Sequence, residues 1–198
     1  MKLLIANRGE IATRIVKSCN KLDIIPCGVY SEADKNSVYI KSLKETLNIG
    51  GFSATDSYLR MDKIVNAAKK LGCSMIHPGY GFLAENLQFS ELCKKEGLVF
   101  VGPSAEVLKI SGDKLRAKDL ASRVAPVLEG KEVSKEDEAL KVAGDIGYPV
   151  ILKAARGGGG RGLRIAKSAD DISKFINASR SESMISFGSD RLFVEKYL

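Results

Sequence analysis

Short apolar runs alternate with stretches of helical periodicity in the first half of the chain. The run KLLIA at residues 2–6 is followed by apolar residues three or four positions apart, and IIPCGVY at residues 24–30 is apolar again. The helically spaced residues are Ile11, Ile15, Val16, Cys19 and Leu22. Strand, helix and strand in this order predict a parallel sheet, because parallel strands need a crossover connection.

The alternation continues as far as Pro103. The pattern predicts a helix over residues 58–71, a strand in CSMIH, a helix through ENLQFSELCKKEG and a strand in LVFVG. The N-terminal part is therefore predicted to be an open α/β sheet.

The C-terminal part has a different pattern. AEVLKISGDKLRAKDLASRV is predicted to be helical with a break at Gly112, and APVLEGKEV to be a connection. Ser134 with Asp137, and Ser168 with Asp171, have the spacing of capping boxes that begin two helices. PVILKAA, GLRIA and RLFVEKYL are strand-like. These elements predict a small antiparallel sheet covered by two helices.

Composition and charge narrow the class of protein. A chain of 198 residues that is 44% hydrophobic can bury a sizeable core. The net charge of +7 comes from dispersed cations without interleaved aromatic residues, which favours small anionic ligands over nucleic acid. No apolar run has the length of a membrane span or a signal-peptide core, so we expect a cytoplasmic protein that does not bind membranes.

The cysteines and the single histidine argue against metal and triad chemistry. Cys19, Cys27, Cys73 and Cys93 show no C-x-x-C spacing, so we predict buried thiols. His77 is the only histidine and precedes a Pro-Gly turn, where we expect it to anchor the loop. No metal site is predicted in this chain.

The segment KAARGGGGRGLR, residues 153–164, is the strongest candidate for phosphate binding. Successive glycines allow several backbone N–H groups to face one anion, and three arginines add positive charge. No Gly-Lys-Ser/Thr follows, which excludes the P-loop of nucleoside triphosphatases, and the single glycine of NRGE argues against dinucleotide binding. The alternative is a mobile hairpin tip.

Three lysines, at positions 114, 153 and 196, each have an interpretation that needs no ligand. Lys153 ends an apolar strand, so it either meets a ligand phosphate or points to solvent. Lys114 follows Asp113, which has the position of a helix cap, and is by itself typical of a solvated first turn. Glu195 and Lys196 are likewise typical of an ordinary pair of residues on an edge strand.

The chain resembles the biotin carboxylases of the ATP-grasp superfamily over essentially its whole length. The residues that carry the resemblance are LLIANRGEIATRI, VYSEAD, SYL, IHPGYGFLAEN, FVGPS, GDKLRAK, IGYPVILKAARGGGGRGLR and EKYL. The resemblance implies a Rossmann-like parallel-sheet domain at residues 1–112. It also implies the beginning of an ATP-grasp domain at residues 113–198, with a mobile α+β lid from about residue 132.

The same resemblance implies roles for particular residues. Lys114 and Lys153 would contact the phosphates of ATP, with the glycine loop closing over them, and Tyr80 and Gly81 would lie on the biotin side of the cleft. The implied ATP-binding residues are Lys114, Lys153, Gly157, Gly158, Gly159, Gly160, Gly162, Leu163, Glu195, Lys196 and Leu198. Leu163 stands where methionine is common in the family.

The implied reaction is the ATP-dependent carboxylation of biotin on a carrier protein, with bicarbonate activated as carboxyphosphate. The magnesium ligands and the residues that bind bicarbonate are expected after residue 198, so we expect an N-terminal segment that is inactive alone. The implied partners are a carboxyltransferase and a second copy of the chain, with Arg14 on a helix where family members often dimerise. The final acceptor stays open among acetyl-CoA, propionyl-CoA, pyruvate and urea.

Two other functions remain open at this point. One is another ATP-grasp ligase that activates bicarbonate or a carboxylate through an acyl phosphate. The other is a nucleotide-binding module without catalysis.

Overall fold

The computed structural model describes residues 1–154, 163–187 and 190–198, without the side chains of residues 114, 115, 186 and 187. These residues form two compact units, Met1–Lys109 and Ile110–Leu198. Each unit contains its own sheet and its own hydrophobic core.

The first unit contains a parallel five-stranded sheet in the order β3-β2-β1-β4-β5. Its strands are β1 Lys2–Ile5, β2 Ile25–Tyr30, β3 Glu45–Asn48, β4 Met75–His77 and β5 Val99–Phe100. Its helices are α1 Gly9–Lys21, α2 Met61–Lys70 and α3 Leu87–Lys95, and α4 covers Ala105–Ser111. The α/β class and the parallel sheet predicted from the sequence are confirmed.

Both faces of this sheet are buried. Alternate residues of β1 point to opposite faces, so Leu4 joins the cluster that contains Phe89 of α3, whereas Leu3 and Ile5 join the cluster that contains Ile15 of α1. Strands buried on both faces are nearly continuous in apolar residues, which explains the KLLIA and IIPCGVY runs. Each fully buried side chain of this size contributes roughly 1.5–3 kcal/mol relative to exposure.

Two elements of the first unit differ from the prediction. The helix predicted from residue 58 begins at Met61, because Tyr58 is fixed in a turn where its hydroxyl donates to Asp34. Strand β3 was not predicted. Its residues Glu45, Thr46 and Asn48 are polar, and as an edge strand it pairs with β2 on one side only, while Leu47 packs against the core.

The second unit is built on an antiparallel four-stranded sheet in the order β6-β9-β7-β8. The strands are β6 Gly130–Val133, β7 Val150–Ala154, β8 Arg164–Ala166 and β9 Leu192–Lys196. The helices are α5 Lys114–Ser122, α6 Glu136–Ile146 and α7 Ala169–Phe187. Ala143 of α6 and Ile176 of α7 share a core with Leu152 and Val194, which confirms an antiparallel sheet covered by two helices.

Strand β6 lies where the sequence predicted only a connection. Gly130 allows β6 to approach β9 closely, since a Cβ at this position would lie 2.7 Å from Phe193 Cε1 and 2.8 Å from the Val194 carbonyl oxygen. With β6 on one side and β7 on the other, β9 is an interior strand. The interpretation of Glu195 and Lys196 as an edge-strand pair is therefore wrong.

The predicted helix starts are partly confirmed. Ser168 Oγ accepts a hydrogen bond from the Asp171 N–H at 3.4 Å as α7 begins, and Asp113 Oδ1 accepts from the Arg116 N–H at 3.2 Å. Before α6, the partner of Ser134 is Glu138 and not the predicted Asp137. The Ser134 N–H and Oγ both donate to Glu138 Oε2, at 2.9 and 3.1 Å, because the helix begins one residue later than expected, at Glu136.

Candidate functional site

The carboxyl ends of β1 and β4 meet at one edge of the parallel sheet, where α/β proteins bind their ligands. Asn7, which follows β1, is fully buried, and its Nδ2 donates to the carbonyl oxygens of Pro78 and Tyr80 at 2.7 and 2.9 Å. The turn PGY after β4 is thereby held against the turn NRGE after β1. No pattern in the sequence indicated this role of Asn7.

His77 anchors the same turn, as predicted. Its Nδ1 accepts a hydrogen bond from the Gly79 N–H at 3.0 Å. Burial lowers the pKa of His77, which favours the neutral ring that this acceptor role requires.

Tyr80 and Gly81, the residues expected on the biotin side, lie in this turn. The Tyr80 side chain is 64% exposed, and its hydroxyl donates to Glu10 Oε1 at 3.1 Å. That hydrogen bond raises the pKa of Tyr80. Gly81 has a φ of +68°, a conformation that glycine adopts without strain. The Tyr80 ring is thus accessible at the edge of the sheet where α/β proteins bind ligands. The role of Tyr80 and Gly81 on the biotin side stays a prediction.

Gly79 is the residue of this turn least able to accept a side chain. Its φ is +70°, and a Cβ would lie 2.7 Å from both Asn7 Nδ2 and Ile11 Cγ2. We expect Gly79→Ala to lower the free energy of unfolding by about 2–3 kcal/mol, from backbone strain and overpacking together. Urea unfolding followed by circular dichroism measures this change.

Gly97→Ala is the matched control for this prediction. Gly97 has a φ of +73°, but no atom lies within 4 Å of a Cβ there. The control should lose only the strain contribution of about 1 kcal/mol. Equal losses in the two variants would show that the close approach to Asn7 does not matter.

A partly buried charge cluster links the turn after β1 to the segment after β2. Arg8 binds both carboxylate oxygens of Asp34, with a distance of 2.6 Å from Nε to Oδ2. The Tyr58 hydroxyl donates to the same Oδ2 at 2.7 Å, and Ser31 and Ser37 also donate to the carboxylate. Sequence reading missed this cluster, although Arg8 and Asp34 both follow neighbouring parallel strands.

In the second unit, one face of the antiparallel sheet carries charged residues. Strand alternation places Leu152 and Val194 in the core beneath the helices, and Lys153, Phe193 and Glu195 on the opposite face. A cavity of about 360 Å³ lies on this face. Its lining residues are Ser111, Ala117, Lys118, Val127, Leu128, Lys153, Phe193 and Glu195.

Glu195 is shared by two lysines in this cavity. Lys118 Nζ of α5 is 2.8 Å from Glu195 Oε1, and Lys153 Nζ of β7 binds Oε2. The three side chains are only 20%, 13% and 23% exposed, in the order Lys118, Glu195, Lys153. Burial by itself would raise the pKa of Glu195, but the hydrogen bonds from the lysines outweigh it and keep the pKa below its ordinary value.

The structure gives Lys153 a partner that the sequence did not predict. The side chain does not simply point to solvent, because it binds a carboxylate of the chain itself. The need of a buried lysine for an anion is thus met by Glu195 in this structure, where the sequence led us to expect a ligand phosphate. Lys118 was not predicted, although its spacing of four residues from Lys114 puts the two on one helix face.

The structure describes only some of the remaining expected ATP residues. Lys196 Nζ donates to the carbonyl oxygens of Gly147 and Tyr148 at 2.9 and 3.2 Å, so its side chain fastens the turn before β7. Leu163 and Leu198 are exposed at 47% and 87%. Gly157, Gly158, Gly159, Gly160 and Gly162 lie outside the described residues, as does the side chain of Lys114.

A metal centre is not formed by the part of the chain that the structure describes. There, no group of three or more His, Cys, Asp or Glu side chains is placed to hold a metal ion. The four cysteines are free and buried, as predicted. Within the described residues, no helix is both long and apolar enough to cross a membrane.

Comparison with known families first defines the class of the second unit. Residues 113–198 match the family described as carbamoyl-phosphate synthase L chain, ATP binding domain, so this part is an ATP-binding domain. Residues 1–108 match the biotin carboxylase N-terminal domain. The chain therefore belongs to the biotin carboxylase family.

Individual relatives agree with this assignment. The chain is 44% identical to the biotin carboxylase of Pseudomonas aeruginosa and 43% identical to biotin carboxylase 1 of Bacillus subtilis, in each case over its full length. It covers 45% and 44% of those two proteins. The chain thus spans less than half the length of the curated relatives it matches.

Solved structures show the same fold. The biotin carboxylase of Campylobacter jejuni, in a β,γ-ATP complex, superimposes with a TM-score of 0.96 at 42% identity. The biotin carboxylase domain dimer of the Hydrogenobacter thermophilus 2-oxoglutarate carboxylase, with MgADP, ADP and bicarbonate, gives 0.94 at 39% identity. The match covers 100% of this chain and 45% and 44% of those chains.

Proposed function

We propose that this chain supplies part of the ATP site of an enzyme that carboxylates biotin on a carrier protein, using bicarbonate. The observation that carries the proposal is the cavity in which Lys118 and Lys153 face one carboxylate, Glu195. Two cations against one anion leave a net positive charge in a partly buried cavity, which is suited to a phosphate group. The relatives that are biotin carboxylases support biotin as the acceptor.

Each expected site residue has a role in this proposal. Lys153, and Lys114 at the start of α5, bind phosphate oxygens, and Gly157, Gly158, Gly159, Gly160 and Gly162 supply backbone N–H donors. Leu163, Glu195, Lys196 and Leu198 border the adenine. The apolar ring of Phe193 beside Lys153 supports a cavity that accepts both a base and a phosphate. Tyr80 and Gly81 face the biotin side.

The proposed reaction proceeds in balanced steps. A bicarbonate oxygen attacks the γ-phosphorus of ATP, the bond to the ADP oxygen breaks, and carboxyphosphate forms. Carboxyphosphate then divides into carbon dioxide and phosphate, biotin N1 attacks the carbon dioxide, and phosphate takes the N1 proton. The lysines of this chain hold the phosphoryl oxygens and neutralise charge, so they contribute by positioning and electrostatics.

No step of this account is assigned to magnesium, whose ligands are expected after residue 198. The second copy of the chain, the biotinylated carrier protein, the carboxyltransferase and a cytoplasmic location remain predictions. The relatives include components of pyruvate and methylcrotonoyl-CoA carboxylases, so the final acceptor stays open.

Phosphate release from Mg-ATP tests the proposal. With the polypeptide encoded by the complete reading frame, we expect release to require bicarbonate and to increase when free biotin is added. Withholding bicarbonate is the internal control. Release that is indifferent to biotin but depends on another acid would assign the protein to a different ATP-grasp ligase. Nucleotide binding without any turnover would indicate a module without catalysis.

A further inference from the structure

Glu195 is in contact with more positive charge than it needs for neutralisation. Its two carboxylate oxygens have different partners, with Oε1 bound by Lys118 and Oε2 by Lys153. Of the described elements packed around Glu195, α5 presents Lys118, β7 presents Lys153, and β6 presents Gly130, which has no side chain. Either lysine alone provides the charge that neutralises this carboxylate.

The two lysines also share an aromatic surface. Lys118 Nζ lies 4.9 Å and Lys153 Nζ 5.9 Å from the centroid of the Phe193 ring. Both ammonium groups are therefore stabilised in a partly buried position by a ring face as well as by the carboxylate. Lys153 can lose its carboxylate partner and still lie over this ring.

A phosphate that binds Lys153 must compete with Glu195 for it. If Lys153 were the only cation at Glu195, its transfer to a phosphate would leave a partly buried carboxylate without a counter-ion, which is strongly unfavourable. That carboxylate would also repel the incoming phosphate. Because Lys118 remains on Oε1, the transfer of Lys153 leaves Glu195 neutralised.

We propose that Lys118 is a positioning residue that holds Glu195 while Lys153 moves to a phosphate of the nucleotide. This inference rests on the proposed ATP role of Lys153. Lys118 does not touch the nucleotide in this proposal. It lowers the free-energy cost of separating Lys153 from the Glu195 carboxylate.

The variant Lys118→Met tests this role through nucleotide affinity. The probe is β,γ-imido-ATP with Mg²⁺, titrated calorimetrically into the polypeptide encoded by the complete reading frame. We expect the Kd of the variant to be about tenfold above that of the wild type at pH 8, since Glu195 becomes unpaired when the probe binds. At pH 6 the ratio should fall to about threefold or less, because an unpaired, partly buried carboxylate takes up a proton.

Three further variants separate positioning from a structural role. Lys118→Arg keeps the charge and should restore the Kd to within about threefold of the wild type. In a Glu195→Gln background, Lys118→Met should change the Kd less than about twofold, because no carboxylate needs a partner. Lys174→Met, an exposed lysine on α7, should leave the Kd unchanged.

Each contrary result has a distinct meaning. A Kd for Lys118→Met equal to that of the wild type at both pH values would overturn the inference. An increase in Kd that is independent of pH and persists in the Glu195→Gln background would also overturn the inference. It would indicate that Lys118 contacts the nucleotide directly or that the variant has a damaged fold. A wild type that binds no adenine nucleotide would overturn the proposed function as well.

Discussion

Replacing Lys153 by methionine is expected to lower kcat/KM for ATP by about 100-fold or more in the polypeptide encoded by the complete reading frame. A charge-assisted hydrogen bond to phosphate contributes about 1.5–3 kcal/mol, and loss of one donor to a developing charge costs about 10²–10³ in rate. Methionine keeps the length and the apolar stem of lysine while it removes the ammonium group. Bicarbonate-dependent phosphate release over a range of ATP concentrations measures the change.

The surroundings of Lys153 make this variant informative. Glu195 keeps Lys118 as its partner at 2.8 Å when Lys153 is removed, so we expect the fold to survive. Lys174→Met serves as the control for loss of one positive charge and should keep wild-type kinetics. Full activity of Lys153→Met would mean that this lysine only pairs with Glu195. A melting temperature within a few degrees of the wild type shows that lost activity does not come from unfolding.

The predictable part of the fold was the part with strong hydrophobic periodicity. Strands β1 and β2 and helix α1 follow from it because both faces of the parallel sheet are buried. Strand β3 is polar, and β6 is short and begins at a glycine, so neither has a local signal. Their positions depend on hydrogen bonds to strands distant in the sequence, which no local pattern encodes.

Only some residues of the candidate site could be predicted from the sequence, as was the case for the strands and helices. A lysine at the end of an apolar strand identified Lys153, and the resemblance to biotin carboxylases identified Glu195. That these two bind each other follows from the pairing of β7 with β9 across 42 positions of sequence. The contact between Lys118 and Glu195 depends in turn on where α5 lies against this sheet face, so it could be found only from the structure.

The second large effect is expected at Asp34 in the first unit. We expect Asp34→Asn to lower the free energy of unfolding by about 3 kcal/mol at pH 7, because Arg8 and the Tyr58 hydroxyl would then donate to a neutral amide. The expected loss lies at the lower end for a buried ion pair because the Arg8 side chain is 49% exposed. Asp62→Asn is the control, since Asp62 binds Arg60 at the surface and should contribute less than about 1 kcal/mol.

The dependence of this effect on pH gives a second, independent check. The hydrogen bonds from Arg8 hold the pKa of Asp34 down at about 2, against an ordinary value of 3.8. A carboxyl group whose pKa is lowered by folding stabilises the protein above its unfolded pKa and loses this contribution as the pH falls through the folded value. The gap between the folded and unfolded pKa of Asp34 corresponds to roughly 2 kcal/mol of stability. The difference in the free energy of unfolding between wild type and Asp34→Asn should therefore shrink from pH 5 towards pH 2. Urea unfolding followed by tyrosine fluorescence at several pH values measures it, and a difference that stays constant over this range would show that the charge of Asp34 does not stabilise the fold.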